Sequence, residues 1–154
     1  CHIAHIEEIL NTYPKARFIF LHRNPRFSMP SISNLAFNLR LGYSNHVDPI
    51  LVGNQMLLYW QEATEKLLNG RELIPKDQMI DLQFNHLIDD PIKITNQIFE
   101  KFSIEHDETF ERKMTKRIGT KKLKSKHSYS YDKFFRSSGE VENKFVNYIS
   151  YFDL

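Results

Sequence analysis

The sequence predicts an α/β fold in which helices outnumber strands and the sheet is parallel. Three observations carry this reading. Arg17-Phe-Ile-Phe-Leu-His22 is a short apolar run rich in β-formers, bounded by Pro14 and Pro25, as a buried parallel strand would be. Ile80, Leu82 and Phe84 alternate within Met79 to Phe84, the period of a second strand. Between and beyond these stretches, apolar residues recur at helical spacing. Two strands are too few for a covered sheet. The expectation is therefore a single partial domain, residues 1–154, with strands missing upstream.

His2 to Asn11 reads as a helix, with Ile3, Ile6 and Leu10 on one face, ended by Tyr13-Pro14. After the first strand, Arg23-Asn-Pro-Arg26 is a turn. A helix then runs to about Leu41, with Ile32, Leu35, Ala36 and Leu39 at helical spacing. Pro30 is expected in its first turn, where a missing N–H costs little. Gly42 to Asp48 is a polar connection. Pro49 to Asn69 is the next helix, with Met56, Trp60, Ala63 and Leu67 inward and Asn69-Gly70 as its stop. Asp90-Pro91 reads as a cap and first residue for a helix bearing Ile94, Ile98 and Phe102. Glu105 to Arg117 is a further helix and Thr120 to Tyr131 a loop. Ser137-Ser-Gly-Glu140 resembles a capping box. Val141, Phe145, Tyr148 and Phe152 form the stripe of the last helix.

Length and composition set the bounds. The chain has 154 residues, 41% hydrophobic and 26% charged, which excludes collagen-like, low-complexity and disordered classes. One cysteine, Cys1, excludes an internal disulfide framework. No apolar run approaches the ~20 residues that cross a bilayer. The chain opens Cys-His-Ile-Ala-His with no leader pattern, which leaves processing and truncation open.

The net charge is +2, but it is unevenly placed. Arg112, Lys113, Lys116, Arg117, Lys121, Lys122, Lys124 and Lys126 form a basic stretch with no acidic residue. Taking these 8 from the 21 basic residues leaves 13 against 19 acidic ones. A basic segment on an acidic body suits a polyanion; it also suits a solvated helical face. No aromatics interleave with it within Arg112 to Lys126 to stack bases.

One constellation points to chemistry. Arg23 ends the first strand, and Ser31 lies eight positions on, near the start of the following helix. The carboxyl end of a parallel strand faces the crevice where α/β proteins bind ligands. A helix N-terminus offers N–H groups to an anion, and arginine adds a charge-assisted contact. Arg23 and Ser31 together make a phosphate clamp. On spacing alone, Arg23 paired with a carboxylate and Ser31 helping to start the helix is an equal reading.

Pro14-Lys-Ala-Arg-Phe-Ile-Phe-Leu-His-Arg-Asn-Pro-Arg26, followed by Ser31, resembles the 3′-phosphate-binding segment of sulfotransferases that use 3′-phosphoadenosine 5′-phosphosulfate (PAPS). Val47-Asp-Pro49 and the helix around Trp60 resemble the middle of one branch of that superfamily. Asp81-Leu-Gln-Phe-Asn-His-Leu-Ile-Asp-Asp-Pro91 resembles its Y-x-x-L-x-x-D-P segment, with Phe84 in place of tyrosine. Lys126-His-Ser-Tyr129 and Phe134 resemble its C-terminal K-H-x-Y loop and the helix beyond. The resemblance runs nearly end to end.

The resemblance implies a P-loop-like, three-layer parallel-sheet nucleotide-binding fold, of which this chain is the helix-rich C-terminal part. All five glycines lie at or after position 42, and no segment matches the family's 5′-phosphosulfate loop. A sulfotransferase represented by its C-terminal half, inactive alone, is the expectation. Arg23 and Ser31 then bind the 3′-phosphate of PAPS, and Lys124 and Lys126 (or Lys121 and Lys122) close a basic loop over it. His2 matches the histidine of the family phrase K-x-P-x-H. It is the candidate general base, since an imidazole titrates near pH 6.5; His2 and His5 also read as two surface histidines without a metal constellation. Cys1 reads as a small buried residue. Trp60 and the phenylalanines read as core, and Asp90 as a helix cap.

The implied acceptor is a hydroxyl or amine on a small molecule, lipid or carbohydrate, with no metal and no nucleic acid. The compartment is cytoplasmic, or Golgi if an upstream anchor exists. Two other classes stand beside this one. A non-enzymatic polyanion-binding module through residues 112–126 would show steep salt dependence. A kinase-type nucleotide enzyme would prefer ATP.

Overall fold

In a computed structural model of the chain, residues 2–120 and 131–154 are described. The two predicted strands form, as β1 (Phe18–His22) and β2 (Met79–Gln83). They pair in parallel, from Phe18 opposite Met79 to His22 opposite Gln83. Side chains alternate across β1: Phe20 and His22 are buried, whereas Ile19 is 50% and Leu21 44% exposed, as the two-residue period dictates. Among the described residues β1 is paired along one edge only.

Before β1 lie a 3-10 turn (His2–Ala4) and α1 (Ile6–Thr12). The expected continuous first helix is thus broken at His5, whose backbone leaves the helical region. After β1 comes α2 (Pro25–Leu41). It starts earlier than expected, with Pro25 as its first residue, so Pro30 lies in the helix interior and not in the first turn. Asn24 explains the early start: its side chain accepts the Arg26 N–H at 2.9 Å, a cap that fixes the boundary.

Helix α3 (Pro49–Gly70) is capped by Asp48, which accepts the N–H groups of Ile50 and Leu51. Gly70 does not stop it through a left-handed turn; its φ is −72° and the chain continues into a 3-10 turn, Arg71–Leu73. Glycine is used there for closeness, because a Cβ would lie 3.2 Å from Ile6 Cβ. Gly53 is tighter still: a Cβ would sit 2.3 Å from the Phe134 carbonyl oxygen. That approach seats the fully buried Phe134 and Phe135 against α3.

Gln83 is the last residue of β2, and Phe84 opens a short helix, α4 (Phe84–Asp89), that the alternation did not reveal. Asp90 caps α5 (Pro91–Lys101) through the Lys93 N–H, as expected. The basic α6 (Glu108–Thr120) follows. The last predicted helix is two, α7 (Ser138–Lys144) and α8 (Val146–Phe152), broken at Phe145. The capping box is altered too. Ser137 makes no side-chain cap, and Glu140 accepts the N–H of Arg136, one residue farther out.

The core joins Phe20 of β1, Met29 of α2, Leu57 and Leu67 of α3, and Val141, Phe145 and Tyr148 of the C-terminal helices. Helices α4 and α5 lie against β2, and α6 against α5. The result is a helix-rich α/β fold with a small parallel sheet. Among the described residues no helix is long and apolar enough to cross a membrane.

Candidate functional site

At the carboxyl end of β1 the chain leaves the sheet through Arg23 and Asn24 and enters α2. A cleft of about 260 Å³ opens there, lined by Arg23, Ser28 and apolar residues of β1, α2 and α3. Its position follows from the parallel strand and the helix beyond it.

Arg23 is exposed, and its guanidinium lies over the Phe84 ring, 4.5 Å from the centroid. A cation over a ring face is held by the ring's quadrupole without being neutralised. Among the described residues no carboxylate pairs with Arg23, whereas Arg26 pairs with Glu142 at 3.5 Å and Arg71 with Asp81. The carboxylate alternative for Arg23 is therefore not found.

Ser31 sits two turns into α2, half-buried, with no side-chain hydrogen bond among the described residues. It does not start the helix; Asn24 does. The N–H groups expected for an anion at that end are already used, Arg26 by the Asn24 side chain and Phe27 by the Asn24 carbonyl at 3.0 Å. Ser28, one turn before Ser31 and on the same helical side, lines the cleft beside Arg23; sequence reading misses it because the Arg/Ser spacing singles out Ser31 alone.

His2 is exposed in the first 3-10 turn, and its neighbour Ile3 lines the cleft. The His2 ring itself does not line it. Lys121, Lys122, Lys124 and Lys126, and Cys1, His127 and Tyr129, lie outside the described residues. Among the described residues, no group of three or more His, Cys, Asp or Glu side chains has the arrangement of a metal site.

One wall of the cleft, through His22 and Tyr148, belongs to a buried polar cluster that sequence reading does not assemble. His22, 3% exposed, contacts Tyr148 Oη through Nδ1 at 2.8 Å and Asp81 Oδ1 through Nε2 at 2.9 Å. Arg71 donates to Asp81 Oδ2. The His22 ring stacks on Phe152 with centroids 3.6 Å apart. The Arg71 guanidinium lies near the Tyr151 and Phe152 rings at 4.9 and 5.0 Å. A polar residue inside an apolar strand demands a partner, which was the available signal. The partners come from 49, 59 and 126 residues away along the chain for Arg71, Asp81 and Tyr148 respectively, so no local pattern marks them.

The electrostatics follow from this packing. Burial pushes the Asp81 carboxyl up, but the His22 hydrogen bond and the Arg71 charge and hydrogen bond outweigh it, holding the group below its ordinary value. Burial pushes the Tyr148 hydroxyl up to about 12; the nearby Arg23 backbone opposes this, and Asp81 adds to it.

Comparisons with known proteins place the chain. No curated protein matches it. Two solved structures share its fold. The sulfotransferase STF9 of Mycobacterium avium superposes with a TM-score of 0.84 at 22% identity, over 99% of this chain and 40% of its own. The sulfotransferase STF1 of Mycobacterium tuberculosis H37Rv gives 0.80 at 23% identity, over 95% of this chain and 37% of its own. The chain thus spans about two-fifths of the length of these proteins. A family model described as the sulfotransferase family matches residues 1–108, which includes the cleft's Arg23 and Ser28, Ser31, and both strands, but not α7 and α8. A match over more than two-thirds of the chain makes this protein a member of the sulfotransferase family.

Proposed function

We propose that this chain is the 3′-phosphate-binding part of a sulfotransferase domain that uses PAPS as sulfuryl donor. The observation that carries this is the uncommitted charge of Arg23: an exposed guanidinium at the carboxyl end of a parallel strand, held on Phe84 and met by no carboxylate among the described residues. PAPS supplies an activated sulfuryl group whose transfer leaves 3′-phosphoadenosine 5′-phosphate. Arg23 holds the 3′-phosphate by charge-assisted hydrogen bonds, and Ser31, whose hydroxyl has no other partner among the described residues, donates to it. Lys124 and Lys126 add charge from the basic segment. His2 is the base that takes the proton of the acceptor's hydroxyl or amine. The acceptor is a small molecule, lipid or carbohydrate.

The test is ligand protection in the protein that carries this chain at its full natural length. At a hundredfold excess over Kd, 3′-phosphoadenosine 5′-phosphate should raise the melting midpoint by roughly 3–5 °C. Arg23→Ala should remove most of that rise. Equal protection of the variant overturns the clamp, and protection by ATP alone points to a kinase-type enzyme instead.

A further inference from the structure

Four residues of α2 face the cleft, Pro25, Ser28, Met29 and Ile32. Their spacing, i, i+3, i+4 and i+7, is that of one side of a helix. Ser28 alone among them is polar. Ser31 is off this stripe, about 60° round the helix from Ser28, and does not line the cleft.

The rest of the cleft holds few polar groups that a ligand could use. His22 and Tyr148 bond to each other, and the Thr64 hydroxyl donates to the Gln61 carbonyl at 2.9 Å. Among the described residues, the polar lining side chains left without a hydrogen bond are those of Arg23, Ser28 and Trp60. A guanidinium, a hydroxyl and an indole N–H all donate, so the cleft suits a ligand group that accepts. The backbone at the start of α2 gives such a group little. Pro25 has no N–H, and those of Arg26 and Phe27 already go to Asn24. The first N–H groups with which a helix ordinarily meets an anion are thus absent or spent, and a side chain must supply what the backbone cannot.

We propose that Ser28 is a phosphate-binding residue: from the stripe of α2 that faces the cleft, its hydroxyl donates to the anion that Arg23 holds. The inference rests on the assignment of Arg23 to the 3′-phosphate and adds a contact to it. Only Arg23 and Asn24 separate β1 from α2, so the cation and the hydroxyl stand on the adjoining ends of two regular elements.

The experiment is calorimetric titration of the full-length protein with 3′-phosphoadenosine 5′-phosphate and with adenosine 5′-phosphate, which lacks the 3′-phosphate. The preference for the first is the readout. Ser28→Ala should lower it roughly tenfold, the worth of a hydrogen bond to a charged group, and leave affinity for adenosine 5′-phosphate unchanged. Alanine is the best helix former, so the melting midpoint without ligand should not fall. Ser28→Thr, which retains the hydroxyl, should retain the preference; a loss equal to that of Ser28→Ala overturns the inference. If Ser28→Ala keeps the preference while Arg23→Ala loses it, the inference is overturned and the assignment of Arg23 stands. Equal loss of affinity for both nucleotides overturns it as well, since Ser28 would then serve a part they share. If Arg23→Ala keeps the preference, the clamp itself fails first, and the inference falls with it.

Discussion

His22 and Arg23 are neighbours in sequence and opposites in environment. His22 is sealed in the core, bonded through both ring nitrogens and stacked on Phe152. Arg23 is in solvent, with one ring beneath it and its charge unpaired among the described residues. The strand period accounts for the inward turn of His22, and the end of the strand frees Arg23. The pair shows how a strand end sets a buried, doubly bonded side chain directly beside an exposed charge. Packing holds the first, and solvent surrounds the second.

That division can be broken experimentally. Asp81→Ala strikes the His22 side hardest. It leaves the buried Arg71 cation without its carboxylate, a loss of about 3–5 kcal/mol for a fully buried pair. Because the Asp81 side chain is 32% exposed, about 2–3 kcal/mol is expected, read by urea denaturation. A loss under about 1 kcal/mol would mean the cluster adds little to the fold.

A smaller effect separates the cluster's hydroxyl from its ions. The folded value of Tyr148, about 12, lies above the ordinary 10. The unfolded chain therefore releases that proton first as pH rises. The stabilisation is fully present below pH 10 and fades between about pH 10 and 12, by up to about 2 kcal/mol. Tyr131, pushed up to about 12 mainly by burial and then by Glu140 and Glu142, contributes in the same window. Tyr148→Phe should flatten the alkaline decline to the part owed to Tyr131, followed as unfolding free energy against pH. An unchanged decline would show that Tyr148 has no part in it.

The smallest effect is expected from Arg23→Ala on stability. An exposed side chain away from the core should shift the unfolding free energy by no more than about 0.5 kcal/mol, in the same denaturation series. A large loss would show that Arg23 supports the fold and would blur the contrast with His22.

Much of this is legible in the residues themselves. Both strands, α3 and the Asp90 cap follow from short-range pattern and turn chemistry. Helix α2 begins earlier than its pattern suggests because Pro30 draws the expected boundary toward itself, while Asn24 and Pro25 set the real one. Helix α4 is six residues long, less than two turns, so periodicity has nothing to register. The break at Phe145 keeps Val141, Phe145 and Tyr148 inward, which is why one stripe conceals two helices. Of the site, Arg23 is readable because a strand end and a helix start meet there. The polar cluster beside it is not, since Arg71, Asp81 and Tyr148 reach His22 only through tertiary packing. Ser28 is hidden by its plainness: a serine on a helix signals nothing until a cleft forms beside it.

Among the described residues β1 is paired along one edge only, and this has a consequence for its backbone. A parallel strand directs successive peptide groups to alternate sides, so about half of the amides and carbonyls of β1 serve β2 and half face outward. The first set belongs to the fold that this chain makes by itself. The second set is an open invitation in backbone terms: water can answer it, and so can any extended segment brought alongside, with Ile19 and Leu21 supplying the apolar side chains that such a neighbour would cover.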